Sequence, residues 1–442
     1  MPAVATAKRL EERIRSRSAV VGVIGLGYVG LPLVAGFAEN GFRVVGFDID
    51  PEKVASLERD RSYVAHFPDR ILEDLHRRGR FGATADFARL AECDAILICV
   101  PTPLTPQREP DLSYIEATVR QIAEAARPGQ LVVLESTTFP GTTDENVRRR
   151  LEERGLVLDE DFFLAFSPER EDPNNASFTM RTIPKLVGGV SPLSGDLAEL
   201  LYGSVVEKVV RVSNARVAEA AKIVENVFRC VNIALVNELK TCFDRMGIDV
   251  WEVLDAAATK PFGFMKFEPG PGLGGHCIPV DPFYLTWKAR EYGVATRFIE
   301  LAGEINTAMP EWIVRKVSDA LNERGRSLKG SKVLVVGVAY KRNVDDTRES
   351  PALEIMELLL SKGADVSYFD PHVPRLRRTR KHAFQLSSVE ATEEEIACQH
   401  AVVLVTDHDD IDYERFSRVA PLVVDTRNAF RKRNLPFRGI LA

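Results

Sequence analysis

The chain of 442 residues has room for about three domains of roughly 150 residues each, and a hydrophobic content of 45% is enough to give each a full core. A formal net charge of −6 argues against nucleic acid as a partner, and the basic run from Arg375 to Lys381 reads as a solvated loop or helix face. The six cysteines form no Cys-x-x-Cys pair and no metal-ligand spacing with the seven histidines, which points to a reducing cytoplasm and no metal.

No apolar run reaches membrane-spanning length, and the charged, helix-prone stretch from Met1 to Ser18 lacks the apolar centre of a signal peptide. No membrane partner is therefore expected. A β-rich run from Val20 to Ile24 comes next and ends in Gly25-Leu26-Gly27-Tyr28-Val29-Gly30. A helical stretch from Leu31 to Glu39 and a strand from Arg43 to Phe47 lead to Asp48. Strand, glycine turn, helix, strand and acid in this order are what a dinucleotide-binding βαβ unit requires. Gly25 permits the tight turn, Gly27 the approach of the pyrophosphate, and Gly30 the packing of helix on strand. Asp48 is suited to accept from ribose hydroxyls and would repel a 2′-phosphate, so NAD is expected rather than NADP.

Further strands are expected at Ala95 to Val100 and Leu131 to Leu134, with a helix from Ser113 to Ala126 between them. Pro101-Thr102-Pro103 and Ser136-Thr137-Thr138 follow those strands, where open parallel sheets bind ligands, and they read as walls of the nicotinamide pocket or as simple turns. From Val212 to Ala258 the pattern is helical, with no glycine between Gly203 and Gly247, and it offers a face for self-association. After Gly330 a second α/β pattern begins: strand Lys332 to Val336, helix Ala352 to Lys362, then strands Asp365 to Phe369, Ala401 to Val405 and Leu422 to Val424. It has no Gly-x-Gly-x-x-Gly, so no second dinucleotide site is expected there. The fold class is α/β, two Rossmann-like domains joined by a central helical region with a long helix. Boundaries are set at 1–211, 212–325 and 326–442.

Between the two lies Pro269-Gly270-Pro271-Gly272-Leu273-Gly274-Gly275-His276-Cys277-Ile278-Pro279-Val280-Asp281-Pro282. A thiol amid that much glycine and proline sits on irregular backbone and is as well suited to be a nucleophile as a buried structural cysteine.

The turn Gly25 to Pro32, the loop Ser167-Pro168-Glu169-Arg170 and the helix Lys222-Ile223-Val224-Glu225-Asn226 form one ordered set with Gly274 to Pro282, Gly337 to Lys341 and Asp346 to Pro351. In this set the chain resembles the UDP-glucose/GDP-mannose dehydrogenases, four-electron nucleotide-sugar 6-dehydrogenases, from about Val20 to Arg427. The segment from Thr259 to Cys277 is most similar to the UDP-N-acetylglucosamine 6-dehydrogenases of surface-polysaccharide pathways. The chain departs from the UDP-glucose enzymes at His276 and Val280, where those carry Ser and Lys, and at Pro173, where they carry a second glutamate.

The resemblance implies that Cys277 holds the aldehyde as a thiohemiacetal between two hydride transfers to NAD and then as a thioester that is hydrolysed. Lys222 and Asn226, one helical turn apart, would stabilise the oxyanion. Asp281 or Glu169 would activate water, and Lys222 is a further choice of base. Cofactor contacts implied are Gly25, Gly27, Tyr28, Val29, Gly30, Asp48, Lys53, Pro101, Thr102, Ser136, Thr137 and Arg348. Substrate contacts implied are Glu169, Arg170, Lys222, Asn226, Phe267, Gly270, Gly274, Tyr340 and Lys341. Each has a structural alternative, such as Tyr340 in the core or Arg348 paired with Asp345 or Asp346. His276, pointing away from its neighbour in an extended chain, is given no role. The expected substrate is UDP-N-acetylglucosamine, with UDP-glucose or UDP-N-acetylmannosamine as alternatives, and the expected state is a homodimer or higher homo-oligomer. Rival readings are a two-electron dehydrogenase of the 6-phosphogluconate or 3-hydroxyacid type and a non-catalytic protein that binds NAD and UDP-sugars.

Overall fold

The computed structural model describes residues 2–64, 67–105, 107–170, 179–275, 278–376, 378 and 381–442. These divide into two compact units, Met1–Glu225 with Phe283–Val294, and Asn226–Pro282 with Ala295–Ala442.

The first unit is built on an eight-stranded sheet. Its strands are β1 Val20–Ile24, β2 Arg43–Phe47, β3 Phe81–Thr84, β4 Ala95–Ile98, β5 Gln130–Leu134, β6 Phe162–Phe166, β7 Lys185–Gly189 and β8 Val209–Arg211. They lie in the order 3-2-1-4-5-6-7-8, all parallel except for the β6/β7 pair. β1, β4, β5 and β6 are buried on both faces, as continuous apolar runs in a helix-covered parallel sheet must be. Val21 pairs with Val44 on one side and Ala95 on the other, so β1 is the centre from which the strand order reverses. β3 and the strands of this sheet after β5 are not among those expected from the sequence. The Phe162-Phe163-Leu164-Ala165-Phe166 run is short and apolar throughout, a pattern that suits a buried strand or a buried helix segment equally.

The second unit carries five parallel strands, β9 Lys332–Val336, β10 Asp365–Phe369, β11 Ala401–Leu404, β12 Val423–Asp425 and β13 Gly439–Leu441, in the order 10-9-11-12-13. Both sheets are thus of the doubly wound, Rossmann-like kind. The central helix, Ala215–Met246, begins in the first unit and ends in the second. Gly247, at φ +68, terminates it, and Asp249 starts the next helix, Val250–Ala258, by accepting from the Trp251 N–H at 2.9 Å. A second long helix, Arg297–Asn322, holds Pro310 in its interior. Among the described residues no helix is long and apolar enough to cross a membrane. Arg375 pairs with Ser387 in an isolated bridge, while part of the basic run to Lys381 lies outside the described residues.

At the end of β9, Gly337 adopts φ +80, and a β-carbon there would lie 2.1 Å from the Thr406 carbonyl oxygen. Gly337→Ala is expected to destabilise the protein by about 3 kcal/mol, left-handed strain and overlap together. An unchanged urea midpoint for this variant would contradict that packing.

Candidate active site

At the carboxyl end of β1 the chain turns on Gly25, whose φ is +94 and whose added β-carbon would meet the Cys99 carbonyl oxygen at 2.6 Å. A β-carbon on Gly30 would lie 1.9 Å from the Gly25 carbonyl oxygen, whereas one on Gly27 meets nothing within 4 Å. Two glycines therefore close the turn and the third leaves it open on the side where a pyrophosphate would approach. Tyr28 and Val29, half-buried, lead into the helix Gly30–Glu39, and Val29 places no side-chain cap on its N–H groups. Asp48 is locked to the turn. One of its oxygens accepts from the Leu26 N–H at 3.1 Å and the other from the Asp50 N–H at 3.0 Å. The Lys53 ammonium stands 3.7 Å from the same carboxylate, and the Tyr63 hydroxyl donates to the Leu26 carbonyl at 2.5 Å. These residues fit NAD: an open glycine, a helix start without a side-chain cap and an acid at the end of β2.

The loops after β4 and β5 are tied together. The Thr102 hydroxyl donates to the Thr137 carbonyl and the Ser136 hydroxyl to the Val100 carbonyl, each at 2.7 Å, while Pro101 is exposed. The buried Tyr284 hydroxyl donates to the Thr102 carbonyl. The following turn is held by Glu219, which accepts from the N–H groups of Gly141 at 2.6 Å and Thr143 at 2.8 Å and from the Thr143 hydroxyl at 2.6 Å. Glu219 precedes Lys222 by one helical turn, so the same helix that carries the lysine fixes this loop. Lys222 is buried, not on a solvated helix face, and no hydrogen bond or ion pair to a described residue engages its ammonium. After β6, Glu169 accepts from the Arg170 N–H at 2.6 Å and lies 3.5 Å from the Lys185 ammonium. The Arg170 guanidinium is committed to Glu225, at 2.6 Å, and to the Pro184 carbonyl, at 2.7 Å.

In the second unit the Asn226 amide donates to Asp281 at 2.6 Å, and both residues are buried. Asp281 was expected in a loop. It is instead the first residue of the helix Asp281–Glu291, because Pro282 suits a first helical turn, where no N–H is required. His276 and Cys277 lie outside the described residues. The glycines just before them are packed against the C-terminal sheet. A β-carbon on Gly274 would lie 2.8 Å from the Tyr340 β-carbon, one on Gly275 would lie 2.8 Å from the Tyr340 ring, and the Gly275 N–H donates to the Arg348 carbonyl at 3.1 Å. Gly270 donates to Asn237 at 2.9 Å, and an added β-carbon there would strike the Arg427 guanidinium at 2.5 Å. Phe267 sets its ring edge-on to Phe228 at 5.8 Å. Lys341 is partly exposed, and the Arg348 guanidinium pairs with Asp346 at 2.6 Å.

Arg427 escaped the sequence reading. Its only signal is that it follows Asp425 at the end of a strand. Glu219, three residues ahead of Lys222, escaped it too. At the turn after β9, Val338 and Ala339 donate to Asp370, as Leu26 does to Asp48. Asp370 also takes His372, Val373 and His408, and its carboxylate is fully buried. Both oxygens of that acid are thus engaged within the protein. Glu354, Glu357 and His382 bring ligand atoms within 4.8 Å of one another, a trio that the sequence spacing did not reveal, although both glutamates are exposed and His382 Nδ1 is 2.8 Å from Glu357.

Residues 19–206 match the NAD binding domain of the UDP-glucose/GDP-mannose dehydrogenase family, 216–308 its central domain and 334–432 its UDP binding domain. The chain belongs to this family. It is 35% identical over 432 residues to a UDP-N-acetyl-D-mannosamine dehydrogenase of Pyrococcus horikoshii, covering 95% of this chain and 98% of that one. It is 37% identical over 359 residues to a UDP-N-acetyl-D-glucosamine 6-dehydrogenase of Pseudomonas aeruginosa, covering 80% and 83%. The solved structure of the UDP-D-ManNAc dehydrogenase from Pyrococcus horikoshii superposes with a TM-score of 0.86 at 34% identity, over 95% of this chain and 99% of that one. The protein is thus an NAD-dependent nucleotide-sugar dehydrogenase, and its relatives differ in the sugar that their names carry.

Burial pushes the Glu219 carboxyl up to about 7 from an ordinary 4.5, against the downward pull of the Thr143 and Gly141 donors. The native state therefore holds this proton more tightly than the unfolded chain does. The stability it contributes is full below the unfolded value and is lost as pH rises through about 7, a change on the order of 3 kcal/mol. Glu219→Gln is expected to flatten the fall in melting temperature between about pH 5 and 8. A variant that keeps the wild-type slope would assign the titration elsewhere.

Proposed function

We propose that this dehydrogenase oxidises the 6-hydroxymethyl group of a UDP-sugar to a carboxylate in two stages, with UDP-N-acetylglucosamine as substrate and surface-polysaccharide synthesis as its purpose. The observation that carries the reading is the buried trio of the central helix and its partner: an ammonium at Lys222, an amide at Asn226 and the carboxylate of Asp281 that holds the amide at 2.6 Å. Burying an ammonium that no described residue engages is costly unless an anion is to appear beside it.

Gly25, Gly27, Tyr28, Val29, Gly30, Asp48 and Lys53 would hold NAD, with Pro101, Thr102, Ser136, Thr137 and Arg348 as further contacts, and the cofactor would supply the hydride acceptor at each stage. Cys277 adds to the aldehyde carbon through its sulfur, so the intermediate stays bound. Lys222 and Asn226 stabilise the alkoxide and then the oxyanion. Glu169 serves as the base for hydrolysis: its side chain retains 15% exposure, whereas Asp281 is 2% exposed and is already engaged by Asn226. Water oxygen bonds to the thioester carbon, its proton passes to Glu169, and the electron pair of the C–S bond leaves with Cys277 as thiolate. Arg170, Phe267, Gly270, Gly274, Tyr340 and Lys341 would line the UDP-sugar, with Arg427 added to them from its place against Gly270.

Family matches at 19–206, 216–308 and 334–432 support the division into 1–211, 212–325 and 326–442. Exposed Val224, Phe228 and Leu235, spaced by four and seven along the central helix, support a homodimer, and the cysteine usage supports a cytoplasmic setting. UDP-N-acetylmannosamine is the second reading, favoured by the match to the Pyrococcus horikoshii enzyme.

With the purified protein and a panel of UDP-sugars, two NADH are expected per sugar for the N-acetylglucosamine form. Cys277→Ala is expected to abolish uronate formation, and Lys222→Ala to lower kcat by about 100-fold or more. One NADH per sugar, or uronate from Cys277→Ala, would overturn the covalent reading. Binding of NAD and UDP-sugar without turnover would favour a non-catalytic protein.

A further inference from the structure

The last two strands of the first sheet, β7 and β8, run against the other six. β7 pairs antiparallel to β6, with Ala165 opposite Gly189 and Phe166 opposite Gly188. Carried onward past the strand ends, that register sets Glu169 opposite Lys185. Strands β1 to β6 bring their carboxyl ends to the edge where Glu169 follows β6, but the reversal brings the first residue of β7 there, and that residue is a lysine.

Lys185 is all but fully buried, its side chain only 5% exposed. Its ammonium is 2.6 Å from one oxygen of Glu135 and 3.5 Å from Glu169, and it lies 5.3 Å from the centre of the Tyr202 ring. The other oxygen of Glu135 accepts from the Tyr202 hydroxyl, so both oxygens of this carboxylate are used inside the protein. The two acids differ in one respect. Glu135 has no exposed side-chain surface, while Glu169 keeps 15%. One cation therefore stands between an acid sealed in the core and an acid whose side chain is partly exposed, although the oxygen that faces the lysine is buried.

A buried ion pair is a poor device for stability, since the loss of hydration offsets most of the attraction. The Glu135–Lys185 pair needs another reason to be there, and the second carboxylate supplies it. We propose that Lys185 is a positioning residue for the hydrolytic half of the reaction: it holds the Glu169 carboxylate in place to take the proton of the attacking water, and Glu135 and Tyr202 hold Lys185. The inference rests on Glu169 being that base.

The test compares wild type with Glu169→Gln, Lys185→Arg and the double variant Lys185→Met/Glu135→Gln, which removes the two innermost charges together and leaves Glu169 without its ammonium. Each is mixed with UDP-sugar and excess NAD and followed by rapid-mixing absorbance for the NADH burst and by intact-protein mass for the acyl thioester on Cys277. In the double variant the burst and the KM for sugar are expected to stay near wild type. The thioester should accumulate, and steady-state turnover should fall by about tenfold or more. Lys185→Arg, which keeps the cation, should recover most of the hydrolysis. A double variant that hydrolyses at the wild-type rate, or that loses burst and hydrolysis in equal proportion as a merely structural defect would, overturns the role of Lys185. Glu169→Gln separates the two levels. If it hydrolyses normally, the assignment of the base falls and the inference with it; if it accumulates thioester while the Lys185 variants do not, only the inference falls.

Discussion

Parallel alignment of the strands is the constraint on which the rest of the molecule depends. Strands that all run one way leave the sheet along one edge, and loops that leave there carry side chains and unpaired N–H groups toward the same side. In the first unit Asp48 follows β2, Thr102 follows β4, Ser136 and Thr137 follow β5, and Glu169 follows β6. In the second, Tyr340 follows β9, Asp370 follows β10 and Arg427 follows β12. Apart from the neighbours Ser136 and Thr137, none of these residues is close to the next in sequence.

The two sheets put the same edge to different uses, and a few hydrogen bonds decide which. Gly25 and Gly337 turn alike, each donating its N–H to the last residue of the neighbouring strand. Beyond the turn they part. Gly27 leaves open space beside Asp48, while Asp370 is enclosed by four N–H donors and His408. An acid saturated from within braces a fold; an acid beside an open glycine is free to receive a ligand. The C-terminal sheet instead presents Tyr340 to Gly274 and Gly275, so the family's UDP binding domain also supports the backbone that leads to Cys277.

Several buried acids are held by named donors. Glu219 uses neutral donors, Asp281 an amide, and Glu135 a lysine and a tyrosine hydroxyl. Each arrangement ties a site segment to an element that cannot move without breaking buried hydrogen bonds: the loop after β5 to the central helix, the first turn after the cysteine loop to the same helix, and the loop after β6 to β7. Such ties hold reacting groups at fixed distances without enlarging the hydrophobic core.

Much of this was legible in the chain itself. The glycine turn, Asp48, the helical centre and the second α/β pattern follow from residue type and spacing, because φ above zero, close backbone approach and burial period are local demands that one residue or one short run must meet. The resemblance of ordered motifs supplied Cys277, Lys222, Asn226 and Glu169. Strands β3, β6 to β8 and β13 are not legible, since a short run such as Phe162 to Phe166 fits more than one buried element, and Asp281 opens a helix because Pro282, a residue that breaks a helix interior, suits its first turn. Lys185, Glu135 and Glu219 have no local pattern at all, and Arg427 has only its place at the end of a strand. Sequence by itself determined which backbone turns can form and which faces are apolar. Only the tertiary structure decided which distant side chains become neighbours, because that depends on strand order and on the direction of β7, and a reversed strand looks the same in sequence as a parallel one.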